Sequence, residues 1–465
     1  MRAPLRLAIP FVVATLALVA AHGVLAACDS RPVRPLDPDV EPDAGDEDAS
    51  FAPPPVELGR HAVRVLDTRR VVPSPGLPAE APVQTSNNNL DVVRFGGRVY
   101  LAWRTAPDHF ASDKTQMVLV SSADERTWKL EKIFTAGTDL REPRFLELGG
   151  SLFFYTSLLG TDPVKFEPEG ISYSRRDADG SWSDLAPVLR RPTDASPDGG
   201  AADAGGDAGG DAGATDAGAT DATPMTGYVA WRTKQERGRP FMSAYLGGEH
   251  IYRFDGLPLD VELLTTDDGI TWRGANPARP VVSRGGGSEM DFTLGDDGRL
   301  FAIVRNEAGD ETGWGSKVCT APASDISAWS CKHDPKKYDS PLVFWHDGEV
   351  YLVGRRNVSE TGNYDLGTRD PNPQQTTLAF QIDYRKHSKR CALWRWVQGE
   401  DRIAYVLDLP SRGDTCFASK LDGAAPTQIV LYNYSSDVEG PDVSWAEGQI
   451  GPTYVYRHVL ELTPR

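Results

Sequence analysis

The feature that most constrains this chain is a succession of short apolar runs, five to seven residues each, broken by Gly, Asp and Asn and almost without helical periodicity. Leu90–Phe95 is followed by Val99–Trp103 across Gly96-Gly97, and Leu342–Trp345 by Val350–Val353 across Asp347-Gly348. Two apolar runs joined by a glycine-bearing turn read as a β-hairpin, because tight hairpin turns need positive φ. Six such hairpins begin near Leu90, Pro143, Tyr228, Asp291, Leu342 and Phe417. Tryptophans recur in step with them. Trp128 to Trp182 is 54 residues and Trp272 to Trp329 is 57; Trp182 to Trp272 is 90, or 58 once a 32-residue low-complexity stretch is set aside. A period of about 55 residues suits one four-stranded sheet, and such sheets repeated around an axis make a propeller. The expected fold is therefore all-β: a six-bladed β-propeller, four antiparallel strands per blade, over residues 58–465.

The low-complexity stretch, residues 193–224, repeats Asp-Ala-Gly-Gly and Ala-Thr-Asp-Ala-Gly and has seven aspartates and no base. It cannot bury enough apolar surface to fold, so it is expected to be a disordered loop inserted in the one domain. Residues 28–57 are acidic and Pro-rich and read as a disordered tether. These two segments carry most of the net charge of −17. What remains has no basic face for nucleic acid.

The N-terminus has a basic start, Met1-Arg2-Ala3-Pro4-Leu5-Arg6, and an apolar run from Leu7 to Ala21 that is too short for a final membrane span. It ends in Leu25-Ala26-Ala27-Cys28, which resembles a bacterial lipobox. The resemblance implies a signal peptide over 1–27, diacylglycerol on the Cys28 thiol and acylation of the new amino group. More than one acyl chain anchors a protein stably. The alternative is an ordinary signal peptide cut near Ala27. The expected location is a bacterial membrane reached by export, outer membrane or cell surface rather than inner membrane, with contact through the lipid only. Cys319, Cys331, Cys391 and Cys416 remain, an even number in an exported chain. Proximity favours Cys319–Cys331 and Cys391–Cys416 as disulfides. The spacings do not resemble a zinc site, and no cofactor or metal is expected.

Thr265-Thr-Asp-Asp-Gly-Ile-Thr-Trp272 comes directly after a strand pattern, and its chemistry suits a hairpin turn. Asp267 is expected to accept from turn amides, Gly269 to take positive φ and Trp272 to pack between blades. Degenerate copies occur at Ser121–Trp128 and Asp177–Trp182. The motif matches the Asp-box of sialidase-like propellers, and the chain resembles the six-bladed sialidase (neuraminidase) family over roughly residues 60–463. One stretch carries a specific functional match. Glu289 opens an inner strand, Asp297-Gly298 makes the turn, and Arg305 lies 16 residues after the glutamate. In a blade the first strand leaves one face and the second returns to it, so Glu289 and Arg305 share a rim of the central funnel. The same logic places Asn87, Asn88, Asn89, Arg104, Arg141, Glu142, Tyr155, Arg232, Asp339, Arg355, Arg356, Asp414, Tyr432 and Tyr434 on that rim.

Sialidases clamp a substrate carboxylate with three arginines, whose planar forks suit it, and use a tyrosine nucleophile activated by a glutamate, with an aspartate as acid/base. Carried over, Glu289 is the activating base and Arg305 the second clamp arginine. Arg355 or Arg356, or else Arg390, is the third, and Asp108 or Asp113 the acid/base. Arg104 and Arg141 are further substrate-binding candidates. Two signatures depart from the family. The Arg-Ile-Pro motif is replaced by Asn87-Asn-Asn-Leu-Asp-Val-Val, and the tyrosine position by Cys416 or Phe417. Tyr432 and Tyr434 are the replacement nucleophiles. The leading expectation is a surface-anchored sialidase-like glycosidase that acts on or binds acidic glycans, as a monomer. The alternatives are a non-catalytic propeller lipoprotein that binds glycan or protein, and a glycosidase with a carboxylate pair, Glu289 with Asp414 or Asp91. Trp103 and Trp231 read as core residues rather than sugar platforms.

Overall fold

In the computed structural model, residues 51–191 and 222–465 are described. The signal segment, Cys28, most of the tether and nearly all of the insert lie outside them. Strands make up 52% of the described residues and helices 6%. The fold is an all-β propeller.

The strands form six sheets, numbered here along the chain and antiparallel but for Leu189–Arg190 beside Thr271–Trp272. Sheet 1 contains Ser86–Phe95, Arg98–Ala106, Gln116–Ser122 and Trp128–Phe134. Sheet 2 contains Asp139–Leu148, Ser151–Leu159, Pro168–Arg175 and Ala186–Pro187. Sheet 3 is built on Tyr228–Glu236, Arg239–Leu246, Leu259–Thr266 and Thr271–Gly274, and three short strands bring it to seven. Sheet 4 contains Met290–Leu294, Leu300–Asp310, Gly313–Ala321 and Ser330–Asp334. Sheet 5 contains Leu342–His346, Glu349–Asn357, Lys389–Val397 and Arg402–Asp408. Sheet 6 contains Ser419–Asp422, Gln428–Ser436 and Thr453–Pro464, closed on its outer edge by the N-terminal strand His61–Val72. Blade geometry distinguishes five blades where six were expected, one fewer than the sheets.

The first strands of sheets 1 to 5 touch one another in chain order, and that of sheet 1 also touches sheet 6. They therefore surround the axis, and their side chains are buried on both faces, as in Ser86–Val92. Buried aspartates tie neighbours together. Asp91 accepts from the Phe145 amide of sheet 2 at 2.7 Å, and Asp291 from the Val343 amide of sheet 5 at 2.6 Å. Asp91 also accepts from Ser419 at 2.6 Å, so it is wholly engaged as a latch and is corrected from its place as a carboxylate-pair candidate. Trp103, Trp231 and Trp272 are core side chains.

Closure by His61–Val72 was not expected from the hairpin pattern, which offered this strand no partner near it in sequence. It pairs with Thr453–Pro464 from His61 opposite Pro464 to Val72 opposite Val455. Two boundaries move. Glu57, assigned to the tether, bonds Arg402 at 2.8 Å and its amide donates to the Tyr405 carbonyl. Thr223–Pro224, assigned to the insert, pair with Leu189–Arg190 in sheet 3.

The turn chemistry also shifts by one residue. Asp268, not Asp267, accepts from the Ile270 and Thr271 amides at 2.8 and 2.7 Å, with Thr266 donating to it at 3.0 Å. Asp267 instead meets Arg273 at the surface. Asp124 repeats the arrangement: it accepts from the Arg126 and Thr127 amides, with Ser122 donating. The frame common to both turns is thus Ser122 or Thr266, Asp124 or Asp268, Thr127 or Thr271, then Trp128 or Trp272. Both expected disulfides, Cys319–Cys331 and Cys391–Cys416, are formed.

Three helices are present among the described residues: α1, His250–Arg253; α2, Pro373–Lys386; and α3, Trp445–Ile450. Asn372 caps α2 by accepting from the Gln374 amide, with Pro373 in its first turn. Ser444 and Glu447 form a reciprocal capping box on α3. The last two matter because they deliver Tyr384 and Trp445 to the rim.

Candidate functional site

The rim joins the starts of the first strands to the ends of the second. Sheet 4 contributes Glu289 and Arg305, whose Oε1 and Nη1 lie 2.8 Å apart. Arg305 Nη1 is also 3.2 Å from Glu307, and its Nε donates to Ser288 Oγ at 3.0 Å. Glu289 Oε2 accepts from the Ser340 amide at 2.7 Å. Burial pushes the Glu289 carboxyl up, and Arg305 opposes it.

Sheet 5 contributes Asp339 and Arg355, Oδ2 to Nη1 at 2.8 Å. Asp339 also receives the Tyr384 hydroxyl of α2 at 2.9 Å and lies 3.4 Å from Lys337, while Arg305 reaches its other oxygen at 4.0 Å. Glu289, Arg305, Asp339 and Arg355 are therefore one charge network. Arg356 departs from it. Adjacent strand residues face opposite sides, and Arg356 forms a two-pronged pair with Asp408 at 2.9 and 2.6 Å. Arg390 is held away from the rim by Asp442 at 2.9 and 2.5 Å.

Sheet 6 contributes Asp414 and Tyr434, with the hydroxyl donating to Oδ1 at 2.9 Å. Tyr434 is 3.4 Å from Arg355 Nη2. Trp445 of α3 donates to the same Asp414 oxygen at 2.9 Å, and His109 Nδ1 meets the other at 2.7 Å. Burial works to raise Asp414, but His109 and Arg355 hold it below its ordinary value. Tyr434 is expected to lack an easy route to ionisation: burial and the Asp414 charge push it well up. Tyr432 does not share this rim. Its hydroxyl donates to Glu125 at 3.0 Å, in the turn at the far end of sheet 1.

Sheets 1 and 2 contribute differently from expectation. Arg104 is fully buried and tied to Asp139, Asn88 and the Asp108 and Phe110 carbonyls. Arg141 pairs with Asp139 and the His109 carbonyl. Asp108 caps its own loop by accepting from the Phe110 amide at 2.9 Å. Asp113 is exposed. Tyr155 turns away and donates to the Gly269 carbonyl, and Arg232 donates to the Pro341 carbonyl. Sequence reasoning placed Glu142 on the rim without giving it a role. It is buried, with Oε1 accepting from Asn89 at 3.0 Å and Oε2 unpartnered. Burial, reinforced by the Glu289 charge, pushes it up to about 7. His109 had no signal in the sequence beyond its neighbour Asp108.

The recess that remains is bordered by Glu142, Glu289, Arg305, Arg141, His109 and Tyr252 of α1, which keep small solvent exposures. Among the described residues no group of three or more His, Cys, Asp or Glu side chains is placed to hold a metal ion.

No family model and no curated protein matches the chain. Among solved structures it is similar to a protein of unknown function from Dyadobacter fermentans, with TM-score 0.54 and 14% identity over 86% of this chain and 99% of that one. It is also similar to Trypanosoma rangeli sialidase, with TM-score 0.48 and 14% identity, covering 81% of this chain and 55% of that one. A third is the Penicillium chrysogenum alpha-L-arabinanase, with TM-score 0.43 and 12% identity over 82% and 95%. At such identities the likeness is one of fold alone.

Proposed function

We propose that this chain is a sialidase-like, six-bladed propeller protein that binds an acidic sugar in the rim recess and cleaves its glycosidic bond. The six sheets are its blades, and the Asp124 and Asp268 turns its Asp-boxes. It is exported and lipid-anchored through Cys28, acts as a monomer and meets glycoconjugates outside the cell. The observation that carries the reading is the Glu289–Arg305 pair at 2.8 Å, solvent-touched and joined through Asp339 to a second guanidinium, Arg355. A guanidinium that keeps 7% exposure suits a planar anion.

The test is turnover of a fluorogenic sialoside and a panel of neutral glycosides by the full-length chain, beside Glu289→Gln and Arg305→Ala. The expected result is turnover that both variants lose. Wild-type rates no higher than the variants, across the panel, overturn the reading.

A second reading is favoured by a specific observation. Arg305 and Arg355 are already paired with Glu289, Glu307 and Asp339, and Tyr434 is 1% exposed. On that reading the chain is a non-catalytic propeller that binds glycan or protein. Calorimetric binding of a sialyl-oligosaccharide without turnover, abolished in Arg305→Ala, separates the two.

A further inference from the structure

Glu142 sits in an irregularity at the start of a first strand, where the pairing of sheet 2 breaks between Arg141 and Arg144. Its φ is +53°, a conformation that non-glycine residues rarely adopt and that clusters at functional sites. Asn89, at the matching break in sheet 1, has φ +39° and donates its amide to Glu142 Oε1 at 3.0 Å. Two strained bulges on neighbouring sheets therefore hold one carboxyl group in place. Its other oxygen is buried without a hydrogen-bond partner. Such a group is costly unless it carries its own proton or meets a ligand.

The charges around it leave Glu142 without an ion pair. Arg144, the nearest base, donates to the Trp231 carbonyl and stacks on Phe417 and Trp231. Arg141 is bound to Asp139. Glu289 acts on it with a like charge, and both carboxyls act on the buried Tyr245 of sheet 3. Tyr252 of α1 and Arg305 lie on the Glu289 side. Glu289 has a guanidinium and the Ser340 amide to hold its charge, whereas Glu142 has one neutral amide. Two carboxyls in such unequal surroundings divide into an acid and a base.

We propose that Glu142 is the proton donor of this site, acting from Oε2 on the leaving oxygen of a glycoside seated against the Glu289 carboxylate. The proposal rests on the glycosidase reading of the recess and supplies the acid that Asp108, occupied as a loop cap, does not. The proton passes from Glu142 to the glycosidic oxygen as the bond to the anomeric carbon breaks and its electron pair stays on that oxygen. A water oxygen bonds to the anomeric carbon and gives its proton to Glu289. Exchange with solvent then returns Glu142 to the acid and Glu289 to the carboxylate.

The experiment compares kcat/KM of the full-length wild type and Glu142→Gln on two glycosides of one sugar, with an alcohol and a dinitrophenyl leaving group. The expected loss is about 10²–10⁴-fold on the alcohol glycoside and under about tenfold on the dinitrophenyl one, which needs no acid. Wild-type kcat/KM falls as pH rises through about 7, a limb absent from Glu142→Gln. Asn89→Ala, which removes the donor that favours the charged form, moves the limb to higher pH and serves if Glu142→Gln does not fold. Equal losses on both substrates, or a limb unmoved in both variants, overturn the assignment of Glu142 while leaving the glycosidase reading. No wild-type turnover on any glycoside overturns both.

Discussion

Sheets 4 and 6 build the same rim pair and put it to different use. In sheet 4, Glu289 at the start of the first strand meets Arg305 at the end of the second; in sheet 6, Asp414 meets Tyr434 in the same way. The sheet 4 pair keeps 8% and 7% exposure, whereas the sheet 6 pair is 0% and 1% exposed. The difference comes from the connection after each hairpin. Beyond Ser436 the chain makes α3, and Trp445 covers Asp414 through its indole N–H. Beyond Asp310 sheet 4 turns directly into its third strand at Gly313. A propeller thus supplies rim pairs by topology, and the inserted connections decide which of them a ligand can reach.

The largest effect should come from breaking the buried network that joins sheets 4 and 5. Asp339→Ala leaves Arg355 and Lys337 without their shared carboxylate, and a loss of about 3–5 kcal/mol is expected in chemical denaturation. Arg356→Ala, outside that network and paired with the partly exposed Asp408, should cost less than Asp339→Ala. Similar costs for the two would dissolve the distinction between rim and flank.

Next is a pH effect. Glu142 has its folded-state pKa raised from 4.5 to about 7, so its contribution to stability is complete below about 4.5 and is lost as pH rises through about 7. Relative to Glu142→Gln, the wild type should lose up to about 3 kcal/mol across that window. A constant difference from pH 4 to 8 in urea titrations would contradict the buried, unpaired carboxyl. Tyr434→Phe and Tyr432→Phe should each cost about 1 kcal/mol as one hydrogen bond is lost. Tyr432→Phe should leave glycan affinity unchanged in calorimetry, because Tyr432 bonds Glu125, in the turn between the third and fourth strands of sheet 1. The smallest contrast is in the turn. Asp268→Ala should lower stability by about 1–2 kcal/mol by orphaning two amides, and Asp267→Ala by under about 0.5 kcal/mol, measured by thermal melts.

Much of the rim was legible because hairpin length fixes spacing. Glu289 and Arg305 are 16 residues apart, but so are Asn88 and Arg104, and Asp339 and Arg355, and both of those pairs also touch. The spacing that marked Glu289 and Arg305 as functional is therefore a property of the hairpin, repeated in three sheets. What distinguishes the three is burial and charge, which spacing does not encode. Arg355 and Arg356 show the same limit. Alternation says that one faces inward, and only the position of Asp408 on the outer strand of the sheet says which. Glu142 was on the rim by its place at a strand start, but its role depends on Asn89, Arg144 and Glu289 from three sheets.

By itself, the sequence determined the all-β class, the hairpins at six places, the disulfide pairing and the turns that hold tryptophan between sheets. These are local matters of alternation, glycine placement and short separations. The tertiary structure decided the closure of sheet 6 by His61–Val72, the latch role of Asp91, the covering of Asp414 by Trp445 and the pairing of Arg356 with Asp408. Most of these depend on partners brought together across long separations in sequence, the longest being that of His61 and Pro464 at the outer edge of sheet 6. The last depends on which face of a strand turns inward. Burial and charge at the rim arise from those meetings, and so does the ionisation of every group in the recess.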